Sequence, residues 1–189
     1  MLKKWRTLKR IKGPNFRIFS VDTVIRESSN SGKSKDFFLV EAPNWMTVIP
    51  LVKNEYGQEC FLMVKQYRHG SDSITLEFPA GMVDPGEDVF YTAKRELKEE
   101  TGYICQSLEL IGSINPNPAF MTNTTSTFLA KGLSKVSEQN LDEYEEIETL
   151  LVPINQFQGM IGGQEVNSAI MIQAYYFYLQ TIHDTSENK

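Results

Sequence analysis

The segment that decides the fold is residues 81–103, which read GMVDPGEDVFYTAKRELKEETGY. Its first part contains two glycines and a proline, which favour a turn. From Glu87 to Thr101 the composition changes to Glu, Lys, Arg, Ala and Leu with no internal Gly or Pro, and this favours a helix. Gly102 follows as a typical residue beyond a helix end. The sequence therefore predicts a loop, a helix of about four turns that starts at Glu87, and a second loop.

Three glutamates of this helix are spaced so that they share one face. Glu96, Glu99 and Glu100 stand at positions i, i+3 and i+4, where like charges destabilise an isolated helix. Two interpretations are open, a solvated charged face or a site for a divalent cation with hard oxygen ligands. Arg95 stands beside them, either to orient one carboxylate or to form an ordinary ion pair.

Eight residues of the segment stand at the fixed intervals of a known signature: Gly81, Glu87, Arg95, Glu96, Leu97, Glu99, Glu100 and Gly102. With them the segment resembles the Nudix box, and Tyr103 is a departure because an aliphatic residue is usual there. The resemblance implies an α/β/α sandwich with a mixed central sheet. It also implies that Glu96, Glu99 and Glu100 bind Mg²⁺, with Mn²⁺ as an alternative, and that an activated water attacks one phosphorus without a covalent enzyme intermediate.

Two flanking pieces resemble the branch of the family that hydrolyses ADP-ribose and nucleotide sugars. They are Gln66-Tyr67-Arg68 and the stretch from Leu76 to Gly81. In that branch the arginine at the position of Arg68 contacts substrate, although a surface charge at a strand end is the simpler interpretation. The carbonyl of Ala80 corresponds to a metal ligand. Glu77 is expected to hold a water behind the metal or to pair with Arg68.

A proline beyond the box bears on substrate choice. Pro118 stands sixteen residues after Gly102, and a proline at about this distance is typical of the ADP-ribose hydrolases, although proline is also a common loop residue. This resemblance favours ADP-ribose, with AMP and ribose 5-phosphate as products. A broad nucleoside diphosphate sugar hydrolase, acting for example on GDP-mannose, is the first alternative. A non-catalytic ADP-ribose sensor is the second, and the intact box argues against it.

The acidic segment from Asp142 to Glu148 resembles the segment from which these hydrolases bring glutamates over the metals. Aligned with the Glu-Asp-Ile pattern of the family, Glu145 becomes a metal ligand and Glu143 the general base, and a shift of one residue would bring in Glu146. The resemblance thus assigns catalysis to Glu143 together with Glu99 and Arg95 of the box. A solvated acidic loop is the alternative.

The rest of the chain predicts an appendage and a catalytic domain. Strand-forming stretches at 16–26 and 36–41 predict a leading hairpin, so residues 1–45 are expected to form a β appendage and residues 46–189 the Nudix domain. Further strands are expected at 46–52, 60–67, 73–78, 108–114, 125–130 and 148–152, and a last helix from Val166 to Phe177. The resemblance implies that the appendage exchanges between two protomers and helps to build the substrate site, so a homodimer is expected.

Composition excludes several function classes. The 189 residues carry a net charge of −5 and are 41% hydrophobic, which argues for one globular catalytic domain with a small appendage and against a nucleic-acid binder. Cys60 and Cys105 are too few for a disulfide framework and are expected to be reduced. Neither a signal sequence nor a membrane-spanning run is recognisable, so we expect no membrane partner and a cytoplasmic location.

Overall fold

The computed structural model describes residues 1–187, which fall into two units. The first contains Met1–Asn44 together with the loop Asn115–Thr124, and the second contains the remaining described chain, Trp45–Ile114 and the part from Thr125 onward. In the first unit the loop is joined to residues 34–41, since Val40 N donates to Phe120 O at 2.8 Å and Thr122 N donates to Val40 O at 3.1 Å. The loop that carries Pro118 therefore belongs with the N-terminal segment.

The first unit is a three-stranded antiparallel sheet. Its strands are β1 (Arg6–Ile11), β2 (Ser20–Glu27) and β3 (Ser34–Glu41), in the order β1-β2-β3. The predicted hairpin is present as β2 and β3, but β1 was not predicted because its basic residues do not alternate with apolar ones. Residues 16–19 were wrongly included in the first strand. Arg17 has a φ of 70°, which no strand residue can adopt.

A buried carboxylate fixes β1 against β2. The side chain of Asp22 is fully buried and accepts a hydrogen bond from Arg10 Nε at 2.7 Å. Lys12 Nζ lies 3.1 Å away and Gly13 N donates to the second oxygen at 3.2 Å. The bond from Arg10, with those from Gly13 and Lys12, lowers the pKa of Asp22 to about 2 despite its burial.

This arrangement predicts an acid-sensitive N-terminal sheet. Because the pKa of Asp22 falls from about 3.9 in the unfolded chain to about 2 on folding, its stabilising effect is fully present above pH about 4 and is lost as the pH falls through about 2. Protection of the β1 and β2 amides from hydrogen exchange should therefore drop over this window. In Asp22→Asn the protection should be lower at pH 5 and nearly independent of pH; an unchanged acid profile would contradict the assignment.

The second unit contains nine strands and three helices among the described residues. They are β4 (Trp45–Lys53), β5 (Glu59–Arg68), β6 (Ser73–Glu77), β7 (Ala80–Met82), α1 (Val89–Thr101), β8 (Tyr103–Ile104), β9 (Ser107–Ile114), β10 (Thr125–Lys131), β11 (Ser134–Lys135), β12 (Ile147–Pro153), α2 (Ile154–Met160) and α3 (Ala169–Glu187). The central sheet has the order β12-β5-β4-β10-β9, with β6 paired to β5 and β7 to β4. Only β4 and β10 run parallel among these pairs, so the sheet is mixed, as predicted.

Helices cover both faces of this sheet because successive residues of a strand point to opposite sides. Met46 and Val48 of β4 pack with Ala93 and Leu97 of α1. Ile49, with residues of β5 and β6, packs instead on Phe157 of α2 and on Met171, Ala174 and Tyr178 of α3. The predicted α/β/α sandwich is therefore confirmed.

Helix boundaries differ from the prediction in three places. Helix α1 begins at Val89 rather than Glu87, because the Asp88 side chain caps it and accepts hydrogen bonds from Phe90 N and Tyr91 N. The short helix α2 was not predicted. Helix α3 begins after Val166, whose carbonyl accepts a hydrogen bond from Gly162 N in the preceding loop, and extends past Phe177. No helix in the described part of the chain is both long and apolar enough to cross a membrane.

Candidate active site

The turn between β7 and α1 brings the strand and the acidic helix face close together. Gly81 of β7 faces Glu96 of α1 so closely that a Cβ atom at position 81 would overlap the Glu96 carboxylate. Ala80 N donates to Glu100 Oε2 at 3.1 Å. Gly102 ends the helix in the left-handed conformation, with a φ of 76°, and its N–H donates to Lys98 O. Local geometry therefore places Ala80 and two box glutamates at one point.

Arg95 links three carboxylates of the box. Its Nε and Nη2 each lie 3.2 Å from an oxygen of Glu87, and its Nη1 donates to Glu96 and Glu99 at 2.9 Å each. The hydrogen bonds from Arg95, followed by that from Thr92, lower the pKa of Glu87 to about 2. Arg95 thus offsets part of the negative charge of Glu87, Glu96 and Glu99. Both interpretations from the sequence, orientation of a carboxylate and an ordinary ion pair, describe contacts that Arg95 makes.

Arg95 forms no ion pair with Glu100, and it shares its charge between Glu96 and the other two carboxylates. Glu100 is 4% exposed, and burial, followed by the charges of Glu96 and Glu145, raises its pKa well above the ordinary value. Burial, opposed by Arg95, also raises the pKa of Glu96 to about 7, and Glu99 and Glu145 add to the shift. The buried Glu100 and the half-buried Glu96 beside it therefore carry more negative charge than Arg95 offsets.

A divalent cation fits this donor set. Among the described residues, no three Asp, Glu, His or Cys side chains are arranged so that they could already bind a metal ion together. Two of the candidate metal ligands, Glu96 and Glu99, are hydrogen-bonded to Arg95 instead. The donors at hand are carboxylate and carbonyl oxygens, the ligands that Mg²⁺ prefers. A cation would also supply the counter-charge that Glu96 and Glu100 lack. The chemistry of the site is consistent with the predicted metal, and the ligand set of Ala80, Glu96, Glu99, Glu100 and Glu145 stays a prediction.

A second ion pair lies at the edge of this group. Arg68 donates through Nε and Nη2 to the two oxygens of Glu77 at 3.0 and 2.7 Å, and Thr75 Oγ1 donates to Glu77 at 2.7 Å. Glu77 is 4% exposed, so Arg68 is held from a buried anchor. Of the two expectations for Glu77, the pairing with Arg68 is present, and the holding of a water behind the metal stays a prediction. Glu77, then Glu100 and Glu145, raise the pKa of Arg68, which indicates that these charges lie near one another.

A cavity of about 460 Å³ connects Arg68 with the box. One side of this cavity is lined by Arg68, Glu77, Ala80 and Gly81. Other lining residues belong to β4 and to the start of α3. A negatively charged ligand in the cavity would therefore meet Arg68, next to Ala80 and Gly81, which contact Glu100 and Glu96 of the box. We call this space the first cavity.

The acidic loop before β12 is exposed and only partly attached. Glu143, Glu145 and Glu146 are exposed. Asp142 N donates to Glu145 Oε2 at 3.2 Å, and the charge of Glu145 contributes to the raised pKa values of Glu96 and Glu100. Pairing of Ile147 with Gln66 brings the loop to the strand end that carries Arg68. Glu145 therefore lies within electrostatic reach of the box, while no described residue forms a hydrogen bond or ion pair with Glu143. The role of Glu143 as the general base stays a prediction. Substrate binding by Pro118, which belongs to the first unit, also stays a prediction.

Comparison with known proteins agrees with this geometry. A family model described as the NUDIX domain matches residues 43–174. The chain belongs to the Nudix family. It is 34% identical over 161 residues to an ADP-ribose pyrophosphatase of Bacillus subtilis, covering 78% of this chain and 86% of the relative. It is 32% identical over 152 residues to a methanol dehydrogenase activator of Bacillus methanolicus, covering 79% and 80%. A crystal structure of an ADP compounds hydrolase has the same fold, with a TM-score of 0.84, 24% identity, and coverage of 98% of this chain and 97% of the other.

Other residues of this Nudix domain that line the first cavity were not predicted from the sequence, and one of them, Thr75, had a signal that could have indicated it. Ser71, Asn167 and Met171 line the first cavity with Arg68, although Asn167 and Met171 stand far along the chain from the box. Met171 Sδ accepts a hydrogen bond from Phe78 N at 3.0 Å. Thr75 stands two residues before Glu77, on the same strand face, and this period-two spacing could have indicated it.

Proposed function

We propose that this chain hydrolyses the diphosphate of ADP-ribose to AMP and ribose 5-phosphate with the help of a divalent cation. The observation that carries the proposal is a pair of box acids, the half-buried Glu96 and the buried Glu100, near a cavity that is lined by Arg68, Ala80 and Gly81. An ADP-ribose pyrophosphatase is among the relatives that resemble most of the chain. The fold and the site thus support the same substrate class.

The cation is Mg²⁺ in this proposal, with Mn²⁺ as an alternative. The general dependence of Nudix hydrolases on a divalent metal supports it. Glu96, Glu99, Glu100, Glu145 and the Ala80 carbonyl would hold the ion. When bound, such an ion neutralises diphosphate charge and lowers the pKa of a bound water.

The chain's own residues bind and orient the reactants. Arg68 presents a planar guanidinium to the phosphates, and Glu77, itself held by Thr75, fixes its direction. Arg95 holds Glu99 and Glu96 from one side. We assign the removal of the proton from the attacking water to Glu143, because a carboxylate committed to a metal is a poor proton acceptor. Pro118 is proposed to contact the substrate.

A substrate panel tests the proposal. Purified protein with Mg²⁺ should cleave ADP-ribose with a higher kcat/KM than GDP-mannose or UDP-glucose, release AMP and ribose 5-phosphate, and lose activity in excess chelator, because an acidic site otherwise repels a diphosphate. Chromatographic product identification with and without chelator measures all three. A reversed order favours the broad nucleotide-sugar hydrolase, and tight binding of ADP-ribose without turnover favours the sensor.

The N-terminal unit is proposed to form a dimer and to contribute to the substrate site of the partner. Its edge strand β1 is exposed along its whole length, and an unpaired edge is a template for another chain. Exposed apolar residues Trp5, Leu8 and Ile11 lie on or next to it. We propose that this homodimer is cytoplasmic and has no nucleic-acid or membrane partner, and the net charge of −5 supports the absence of a nucleic-acid partner.

Sedimentation velocity should therefore find a dimer at micromolar concentration. Leu8→Asp should shift the protein to a monomer, since it places a negative charge between the exposed apolar side chains of Trp5 and Ile11. Tyr56→Asp, at an exposed turn of the second unit, is the matched control and should remain a dimer. A monomer for the wild-type chain at all concentrations would contradict the proposal.

A further inference from the structure

The first cavity continues into a second cavity that is built differently. A space of about 490 Å³ is lined by Ser71, Ser73, Ile74, Gln164, Glu165 and Asn167. Ser71 and Asn167 line both cavities. The two spaces therefore meet at these side chains, next to Arg68, whose carbonyl accepts a hydrogen bond from Ser71 N at 3.3 Å.

The lining of the second cavity matches a polyhydroxyl group. It is lined by the hydroxyl groups of Ser71 and Ser73, which hydrogen-bond each other at 2.9 Å, and by the side-chain amides of Gln164 and Asn167. Asn167 donates through Nδ2 to Gln164 O at 3.0 Å, and its Oδ1 forms no hydrogen bond with another described residue. None of the residues that line this cavity is aromatic, so a planar base would find no ring to stack on. Sugar hydroxyls, which both donate and accept, fit these groups.

Charge in the second cavity is cancelled by one ion pair. The carboxylate of Glu165 lies 2.5 Å from Lys65 Nζ, and none of the lining residues is Lys, Arg or His. Lys65 lies beside the cavity through its pairing with Glu165 but does not line it, and Glu148 of β12 stands opposite Lys65. Both carboxylates offset the positive charge of Lys65, and Glu165 is the acidic group on the cavity side. A neutral group is therefore accepted and a phosphate is disfavoured.

The loop that carries these groups is fixed at Glu165. Leu76 N of β6 donates to Glu165 O at 2.9 Å, while the Glu165 side chain reaches Lys65 of β5. Because the first bond uses the backbone, it does not depend on the side chain at position 165. Asn167, two residues further on, is thereby held where the two cavities meet.

We propose that the second cavity is the subsite for the sugar half of the substrate, and that the Lys65–Glu165 ion pair restricts it to sugars without a phosphate. In this arrangement Arg68 binds the diphosphate, Ser71 and Asn167 contact hydroxyls of the terminal ribose, and Glu165 masks Lys65. The inference rests on the proposed function and extends it to the choice between a neutral and a phosphorylated sugar.

Exchange of the Glu165 charge tests the proposal with two substrates. ADP-ribose and ADP-ribose 1″-phosphate share the diphosphate and differ by one phosphate on the terminal ribose. In Glu165→Gln the freed Lys65 should raise kcat/KM for the phosphorylated compound relative to ADP-ribose by about tenfold, and this gain should shrink as salt screens it. The double variant Lys65→Gln/Glu165→Gln is the matched control and should return the ratio to the wild-type value. A ratio within twofold of wild type in Glu165→Gln overturns the proposal.

A second variant tests the sugar contact itself. Asn167→Ala should raise KM for ADP-ribose several-fold at nearly constant kcat, and should leave the kinetics of the propyl ester of ADP, which has the same diphosphate but no terminal sugar, unchanged. An equal loss for both compounds overturns the sugar contact. Failure of wild-type protein to cleave ADP-ribose would instead reject the proposed function. In that case calorimetry would measure the binding constants of ADP-ribose and ADP-ribose 1″-phosphate without turnover, and an unchanged ratio between wild type and Glu165→Gln would overturn the inference.

Discussion

Glu100→Gln is expected to lower kcat for ADP-ribose at least about a hundredfold while the unfolding temperature in chelator stays the same or rises. Glu100 is almost fully buried, and burial with the charges of Glu96 and Glu145 raises its pKa. Glutamine keeps the volume and can still accept the hydrogen bond from Ala80 N, but it removes a buried charge that costs stability when no cation is present. Steady-state kinetics and thermal unfolding on the same preparation measure both effects.

Two further variants make this result specific. Glu99→Gln should lower kcat by a similar factor, but it also weakens a pair with Arg95 at 2.9 Å, so its unfolding temperature should not rise. Glu138→Gln is the control, because Glu138 is exposed and its one ion-pair partner among the described residues is Lys135, at 3.2 Å. Both kcat and the unfolding temperature of this variant should match wild type. Near wild-type turnover in Glu100→Gln would mean that this carboxylate has no part in catalysis.

Glu143→Gln should lower kcat by roughly two to four orders of magnitude with little change in KM, the mark of an interaction made mainly in the transition state. Glu143 is exposed on the loop before β12, and a loop can move after substrate binds. No stability change is expected, since the side chain forms no hydrogen bond or ion pair with the described residues. Single-turnover kinetics would separate a slower chemical step from slower product release.

Neighbouring glutamates provide the comparison for Glu143. Glu145→Gln should weaken the apparent affinity for Mg²⁺, because the charge of Glu145 acts on Glu96 and Glu100. Glu146→Gln should have little effect unless the alignment is shifted by one residue. If kcat of all three variants remains within about threefold of wild type, the loop is a solvated acidic turn, and Glu77 becomes the next candidate for the base.

The sequence by itself determined the parts of this protein that depend on local spacing. The i, i+3, i+4 positions of Glu96, Glu99 and Glu100 fix one helix face whatever surrounds it, and Gly102 ends the helix because its conformation favours glycine. The mixed sheet between helices, by contrast, was implied by the resemblance of the box to the Nudix signature and not by alternation alone. The start of α1 was placed two residues too early, since Asp88 caps the helix and Val89 is its first residue.

Only the tertiary structure decided which distant groups meet. The pairing of β5 with β6 sets Arg68 near Glu77, the pairing of β12 with β5 brings the acidic loop to that strand end, and the backbone bond from Leu76 N to Glu165 O positions Asn167. Such contacts depend on register and packing between separate elements, to which local rules of period and capping give no access. The tertiary structure also decided which acid carries a costly charge. The sequence identifies Glu100 as a candidate ligand, but its burial beside Glu96 is what makes its negative charge unfavourable without a cation.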